Sequence, residues 1–227
     1  MGSIKDNLLR VQARINDACA TASRNPGSVK LLAVSKAKPS SMVREAIDAG
    51  QSDFGENYLQ DALLKISVVP DATWHYIGAI QSNKTREIAT HFDWVHTVAS
   101  EKIARRLNAQ RGESALPLNI MLQVNVNREP DKNGVNEDDL PALVESTLQF
   151  DHLRLRGLMA IPEKSDDVKR QRANFVKLAE LLSSIQRQFC LPGFDELSMG
   201  MSADLEAAVS AGATWIRIGT AIFGERH

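Results

Sequence analysis

The first segment of the chain alternates apolar and polar positions with the period of an α-helix. Its apolar residues are three or four positions apart and would share one helical face: Ile4, Leu8, Val11, Ile15, Ala18 and Ala22. Asn25-Pro26-Gly27 then predicts the end of this helix, because proline and glycine disfavour its continuation. The chain therefore opens with one amphipathic helix before any strand.

After this helix, short apolar runs typical of buried strands alternate with helix-length amphipathic stretches. Eight such runs occur, at 31–35, near Phe54, and at 75–77, 94–98, 118–126, 155–161, 197–199 and 215–218. Strands alternating with helices indicate a parallel sheet, and eight repeats predict a closed (β/α)8 TIM barrel formed by one domain spanning residues 1–227. An open doubly wound sheet remains the alternative.

Composition narrows the classes of partner. The chain has 227 residues, of which 43% are apolar and 24% charged, as in ordinary globular proteins. Lys plus Arg number 27 against 28 Asp plus Glu, so the net charge of −1 disfavours nucleic acid as a partner. No apolar run approaches the roughly 18 residues of a membrane span, and no signal peptide is apparent. We therefore expect no membrane partner and a cytoplasmic location.

The cysteines and scattered histidines do not form a metal-binding pattern. Cys19 and Cys190 lie in apolar periodic segments without a CxxC motif, which predicts two buried reduced thiols and no metal site. His91, His96 and His152 lack ligand spacing, so we expect each to be structural or to face solvent.

Lys36 is the first candidate for chemistry. It follows the apolar run 31–35, and barrel active sites lie where strands end at their carboxyl edge. Partial burial there would favour a neutral amine, which can attack a carbonyl and form a Schiff base. The alternative is a lysine whose stem simply packs at a strand end.

The last two strand ends carry a candidate phosphate site. Ser202 follows the seventh run as a helix N-cap or as a hydroxyl beside free amides, and Gly219 and Thr220 follow the eighth. Loops after strands seven and eight usually hold phosphate in this fold. Taken singly, Ser202 could cap a helix and Gly219 could make a turn, and Asp204 would repel an anion.

Arg217 alternates with Ile216 and Ile218, so its side chain is predicted to face the barrel interior or mouth. A guanidinium there needs an acceptor, and a ring nitrogen would serve, kept unprotonated by the adjacent permanent charge. An internal ion pair with Glu196 or Glu56 is the alternative.

Seven segments together resemble a known family, the pyridoxal phosphate homeostasis proteins, which are single-domain relatives of the alanine racemase barrel. They are Ala33-Val34-Ser35-Lys36, Phe54-Gly55-Glu56-Asn57, His75-Tyr76-Ile77-Gly78, Gln81-Ser82-Asn83-Lys84, Arg156-Gly157-Leu158-Met159, 197–202 and 217–224. The similarity runs from about Leu31 to Gly224. Ala79-Ile80 departs from the pair that is common in the family.

The resemblance implies pyridoxal 5'-phosphate as the cofactor and assigns a role to each matching position. Lys36 would hold it as a Schiff base, and Arg217 would face its pyridine nitrogen. Ser202, Gly219 and Thr220 would bind the phosphate. The remaining matching residues would line the pocket: Asn57, His75 and Met159.

The resemblance also implies a function. Alanine racemase-type enzymes add a second domain that brings a tyrosine to the cofactor, and this chain ends at His227, so we expect no such domain. Its tyrosines are Tyr58 and Tyr76, and Tyr58 is expected to be a packing residue. The hypothesis is a monomeric, non-catalytic cofactor-binding protein of vitamin B6 and amino-acid homeostasis, with apo-enzymes as candidate recipients. The alternatives are an amino-acid racemase or lyase and a cofactor-free Schiff-base aldolase.

Overall fold

Eight parallel strands close into a barrel in the computed structural model, which describes residues 2–113, 115–130, 132–163 and 165–225. Each strand pairs with the next in the chain, and the eighth pairs with the first. Within those ranges the strands are β1 Lys30–Val34, β2 Asp53–Glu56, β3 Thr73–Tyr76, β4 Trp94–Val98, β5 Leu118–Gln123, β6 Leu153–Met159, β7 Glu196–Ser198 and β8 Trp215–Ile218. The closed barrel confirms the predicted fold over the open sheet.

Helices surround the barrel and connect its strands. In the described part of the chain they are α1 Ile4–Thr21, α2 Ser40–Asp48, α3 Leu59–Ile66, α4 Thr85–His91, α5 Glu101–Arg111, α6 Leu140–Thr147, α7 Val168–Phe189, α8 Leu205–Ser210 and α9 Thr220–Phe223. The predicted opening helix is α1, which Ser3 caps by accepting from the Asp6 amide. It packs against α8, α9 and α2, so it closes the layer of helices where the barrel begins and ends.

Two apolar layers stabilise the barrel, and the alternation of side chains along the strands produces both. Leu31 and Ala33 of β1 face the helices and join the large outer core, whereas Leu32 and Val34 face the barrel interior. The inner layer is completed by Ile77, Met121, Met159, Trp215 and the half-buried Trp94. The interior is thus a packed core, not a pore.

Gly157 allows β6 and β7 to approach each other. A Cβ atom at this position would lie 1.9 Å from the Glu196 carbonyl oxygen of β7, which is far inside the contact distance of the two atoms. A residue without a side chain is therefore required for this close approach.

The structure corrects one prediction about the thiols. Cys19 is buried in α1 as expected, but Cys190 is exposed. Cys190 is the first residue after α7 and has left-handed backbone geometry (φ 52°), so it lies outside the buried face formed by Phe175, Leu178 and Leu182.

The described residues contain no group of three metal-ligating side chains that could hold a metal ion. None of the described helices combines the length and hydropathy needed to cross a membrane.

Candidate functional site

Lys36 lies in a turn at the carboxyl edge of the barrel, two residues after β1 ends. The side chain before it, Ser35, is completely buried, whereas Lys36 itself is half-buried. The next residue, Ala37, has left-handed backbone geometry (φ 57°), and its amide donates to Asp61 Oδ2 over 3.0 Å. That contact ties the turn carrying Lys36 to α3.

A buried ionic cluster supports this turn from below. Lys65 of α3 donates from Nζ to Glu56 Oε1 at 2.6 Å, to the Ser35 carbonyl at 2.8 Å and to Asp61 Oδ2 at 2.8 Å. Ser35 Oγ also donates to Glu56 Oε1. Burial raises the pKa of Glu56, although its bonds with Lys65 and Ser35 oppose that rise. Glu56 Oε2 has no hydrogen-bond partner among the described residues.

Gly219 and Thr220 follow β8 beside the end of β1. A Cβ on Gly219 would lie 3.1 Å from the Val34 carbonyl oxygen, so the two strand ends approach closely at this point. Gly219 is the N-cap of α9, and Thr220 is its first, exposed residue. The first amides of a helix have no intrahelical acceptor, so the chain has backbone donors at this rim.

Ser202 lies in the turn between β7 and α8, and the structure excludes one of its two predicted roles, that of helix N-cap. The N-cap of α8 is Asp204, whose Oδ1 accepts from the Met201 amide at 2.6 Å. The Ser202 carbonyl accepts from Arg14 Nη1, which fixes the turn against α1. The backbone bond from the Arg217 amide to the Gly200 carbonyl places this turn next to β8.

Arg217 points into the barrel, as its alternation with two isoleucines predicts, and is only 5% exposed. Its Nη1 donates to Ser198 Oγ at 2.9 Å and its Nη2 to the Ala160 carbonyl at 3.0 Å. Ser198 ends β7 and Ala160 follows β6, so the guanidinium lies at the carboxyl edge. Burial lowers the pKa of Arg217 to about 10, which still leaves it charged at neutral pH.

The structure does not show the alternative predicted for Arg217, an internal ion pair with Glu196 or Glu56, among the described residues. Glu196, one candidate partner of Arg217, binds Lys30 at 2.7 Å, and Glu56, the other, binds Lys65. Each carboxylate is thus paired with a lysine, and Arg217 is held by a hydroxyl and a carbonyl.

Asn57 follows β2 at the same rim, where the backbone is tightly packed. A Cβ on Gly78 would lie 2.1 Å from the Asn57 carbonyl oxygen, so only glycine allows β3 to approach here. The Asn57 side-chain oxygen is buried and has no hydrogen-bond partner among the described residues. Asn57 also lines a groove of about 410 Å³ together with Tyr58, Tyr76 and Lys84.

Tyr58 departs from its expected packing role, since it is 56% exposed at the N-cap of α3. Tyr76, in contrast, is buried and donates from its hydroxyl to the Ala79 carbonyl. Burial raises the pKa of Tyr76.

The candidate cofactor residues lie in or just after four consecutive strands of the closed barrel, in the order β7, β8, β1 and β2. Parallel strands bring their carboxyl ends to one edge, which is why residues far apart in the chain meet there. These residues are Ser202, Arg217, Gly219, Thr220, Lys36 and Asn57. Met159 ends the adjacent β6 and is buried in the inner apolar layer.

His75 does not line this rim. Its Nε2 lies 3.1 Å from Asp53 Oδ1, at the amino end of β2, and its ring stacks on Trp94, the first residue of β4. His96, predicted to be structural or to face solvent, is fully buried, and its Nε2 lies 2.9 Å from His75 Nδ1. The prediction that His75 lines the cofactor pocket is wrong, because its ring points toward the amino ends of the strands.

Sequence reasoning missed the side chains that support Lys36 and Arg217. Lys65 and Asp61 sit on a helix with ordinary amphipathic spacing, so no local signal distinguishes them. Ser198 and His96 do interrupt apolar strands at inward positions, a signal that could have marked both as interior polar groups.

Comparison with known proteins identifies the family. The chain matches the family model described as the alanine racemase N-terminal domain over residues 5–227. It is 55% identical over 228 residues to the pyridoxal phosphate homeostasis protein of Pseudomonas aeruginosa, an alignment covering 100% of this chain and 97% of that protein. This chain belongs to the pyridoxal phosphate homeostasis protein family. The family member from Escherichia coli K12 is 45% identical over 231 residues, covering 100% of this chain and 98% of the relative.

Solved structures agree with this assignment. PipY of Synechococcus elongatus, solved with PLP bound, superimposes with a TM-score of 0.82 at 41% identity, covering 92% of this chain and all of that one. Alanine racemase from Corynebacterium glutamicum aligns with a TM-score of 0.74 at 14% identity, over 97% of this chain and 62% of the racemase. The second likeness concerns the fold alone, and it confirms the alanine racemase-like barrel of this homeostasis protein family member.

Proposed function

We propose that this protein binds pyridoxal 5'-phosphate at the carboxyl edge of the barrel, with Lys36 holding it as a Schiff base. The observation that carries the proposal is the juxtaposition of Lys36, Arg217 and the Gly219-Thr220 turn on the neighbouring strands β8 and β1. These groups supply what the cofactor requires: an amine for its aldehyde, a donor for its ring nitrogen and amides for its phosphate.

The residues present fit the cofactor chemically. Arg217 is a buried cation already held by two acceptors, so its guanidinium has a fixed position from which to donate to a ring nitrogen. The buried Asn57 oxygen without a partner is a second polar group available to a ligand at this rim. Ser202 and Thr220 provide hydroxyls on the two turns that flank Arg217.

The biological role we infer is vitamin B6 and amino-acid homeostasis without an efficient catalytic cycle. The cofactor, when bound, supplies an electron sink for reactions at the α-carbon of amino acids. That sink is strongest with a protonated ring nitrogen, and the positive charge of Arg217 disfavours such protonation. The protein would hold the cofactor as a cytoplasmic monomer and release it to apo-enzymes that need it.

The test is the visible absorption spectrum of the purified protein with added cofactor, followed by borohydride reduction and peptide mapping. We expect a yellow protein whose reduced adduct maps to Lys36 and is lost in Lys36→Ala. Lys84→Ala, which removes a lysine from the neighbouring groove, is the matched control and should keep the adduct. A colourless protein without an adduct would overturn the proposal and leave the cofactor-free Schiff-base aldolase as the alternative. An adduct spread over surface lysines would overturn the role of Lys36.

A further inference from the structure

A chain of four hydrogen bonds runs through the interior of the barrel and ends at Arg217. Asp53 Oδ1 lies 3.1 Å from His75 Nε2, and His75 Nδ1 lies 2.9 Å from His96 Nε2. His96 Nδ1 lies 2.8 Å from Ser198 Oγ, which lies 2.9 Å from Arg217 Nη1. We call these five side chains the interior chain.

The interior chain connects the two ends of the barrel. Asp53 is the first residue of β2 and retains a partly exposed carboxylate at the amino end, whereas Arg217 reaches the carboxyl edge. His75, His96 and Ser198 between them have no solvent exposure. A protein interior sealed from water in this way makes every missing or reversed hydrogen bond costly.

The two ends dictate the direction of the two terminal bonds, and the neutral state of His75 then sets the direction of the two inner ones. A guanidinium only donates and a carboxylate only accepts, so Arg217 must donate to Ser198 Oγ and His75 Nε2 must donate to Asp53. Because its ring carries a hydrogen on Nε2, a neutral His75 accepts at Nδ1 from His96 Nε2. His96 then accepts at Nδ1 from the Ser198 hydroxyl. One proton arrangement, with both imidazoles neutral and protonated on Nε2, therefore satisfies all four bonds.

The surroundings favour these neutral rings. Burial lowers the pKa of both histidines, and the positive charge of Arg217 acts in the same direction on His96. The rings have little freedom to turn: Trp94 stacks on His75 with centroids 5.5 Å apart, and Trp215 contacts the same ring at 4.9 Å.

We propose that Asp53, His75, His96 and Ser198 are positioning residues that hold the Arg217 guanidinium in the orientation from which it meets the cofactor ring nitrogen. This inference rests on the proposed function. Each residue orients the next one along the interior chain. Asp53 selects the Nε2–H form of His75, and His75 selects that of His96. His96 draws the Ser198 hydroxyl hydrogen away from Arg217, so the oxygen lone pair of Ser198 faces Nη1.

Reversal of the hydrogen-bond directions in the interior chain would weaken the hold on Arg217. If His96 carried its hydrogen on Nδ1, it would donate to Ser198, and the serine hydrogen would have to turn toward Arg217 or lose its acceptor. The guanidinium would then keep only its bond to the Ala160 carbonyl at full strength, so its orientation would be less firmly fixed. An acidic residue at one end of the barrel thus controls the geometry at the other end.

The first measurement is the tautomer of each buried histidine in the cofactor-free protein, from side-chain ¹⁵N NMR. We expect neutral rings protonated on Nε2 for both His75 and His96 at pH 7. Asp53→Ala removes the terminal acceptor and should produce the Nδ1–H form in a measurable fraction of His75. Asp53→Asn retains an acceptor oxygen and should preserve most of the native form, which also guards against a variant that fails to fold.

The second measurement is cofactor binding by the same variants and Ser198→Ala. The loss of about 1–2 kcal/mol from a disturbed hydrogen bond corresponds to roughly 5- to 30-fold weaker binding. We expect this loss, together with a shifted visible absorption band, in Asp53→Ala and Ser198→Ala, and restoration in Asp53→Asn. Asp195→Asn changes an exposed carboxylate just before β7, outside the interior chain, and should alter neither readout.

The outcomes separate this inference from the proposed function. A wild-type His96 that is charged or protonated on Nδ1 would overturn the inference, as would an unchanged absorption band and affinity in Ser198→Ala and Asp53→Ala. Failure of the wild-type protein to form a Lys36 adduct would instead overturn the proposed function, because the tautomers are measured without cofactor.

Discussion

Lys65 donates from Nζ to Glu56 Oε1 across 2.6 Å, and the two side chains are 3% and 0% exposed, directly beneath the turn that carries Lys36. A buried pair of this kind offsets the cost of removing two charges from water only while both partners remain. The pair therefore makes the position of the Lys36 turn dependent on α3.

Removal of one partner of this pair should strongly destabilise the protein. We expect Lys65→Met to lower the free energy of unfolding by about 3–5 kcal/mol, because it leaves a carboxylate buried without its cation. Lys65→Met combined with Glu56→Gln should recover part of the loss. Urea unfolding followed by circular dichroism measures both changes.

The matched control is Lys177→Met, which breaks a partly exposed pair with Glu137 at 3.0 Å. Exposed pairs contribute about 0–1 kcal/mol, so its effect should be small. If Lys65→Met and Lys177→Met lower the free energy of unfolding equally, burial does not increase the contribution of the Lys65–Glu56 pair to stability.

The buried histidines should make stability decline as pH falls through a defined window. Burial lowers the pKa of His75 and His96 in the folded protein. Above pH about 6.5, the ordinary pKa of histidine, the imidazoles are neutral in both the folded and the unfolded state. Below that pH the histidines of the unfolded chain bind protons, whereas the buried rings of the folded protein stay neutral. Stability is therefore full above this value and declines as pH falls toward the lowered folded values.

The expected slope is about 1.4 kcal/mol per pH unit for each histidine that remains neutral in the folded state. Unfolding free energies at pH 7, 6 and 5 measure it. His96→Gln should reduce the slope, whereas His91→Gln, on the exposed surface of α4, should leave it unchanged. A flat profile from pH 7 to 5 in the wild-type protein would contradict the neutral state of the buried rings.

The barrel was predictable because each strand is a short apolar run separated from the next by an amphipathic helix. Lys36 and Arg217 were predictable for a related reason: each places a long cationic side chain beside or within such a run. The interior chain was not, because His75 and His96 are 21 residues apart, and His96 and Ser198 are 102 apart. Their contacts exist only once β3, β4 and β7 surround the same space.

The hydroxyls flanking Arg217 should determine selectivity for the phosphorylated cofactor. A hydrogen bond to a charged group contributes about 1.5–3 kcal/mol, which corresponds to roughly 10- to 150-fold in affinity. Ser202→Ala and Thr220→Val should therefore weaken binding of pyridoxal 5'-phosphate by a factor in this range and leave binding of pyridoxal nearly unchanged. Equilibrium titration with each compound gives the ratio.

The control for selectivity is Thr90→Val, on α4, whose hydroxyl bonds only to the Arg86 carbonyl in the described contacts. It should preserve the ratio of the two affinities. If Ser202→Ala and Thr220→Val weaken pyridoxal and its phosphate equally, the two turns stabilise the site as a whole and do not bind the phosphate.

Amino-acid turnover should be absent although the cofactor is bound. We expect the loaded protein to exchange the α-proton of L-alanine in deuterated water no faster than the same concentration of free pyridoxal phosphate, measured by proton NMR. In the proposed site Arg217 would disfavour the protonated ring that stabilises a carbanion, and the Tyr76 hydroxyl already donates to the Ala79 carbonyl. Tyr58 is exposed at the rim, so it is the tyrosine that would act as acid or base if the protein did catalyse exchange. Exchange well above that of the free cofactor that disappears in Tyr58→Phe would establish an enzyme that acts at the α-carbon, such as a racemase or lyase, with Tyr58 as a second acid or base.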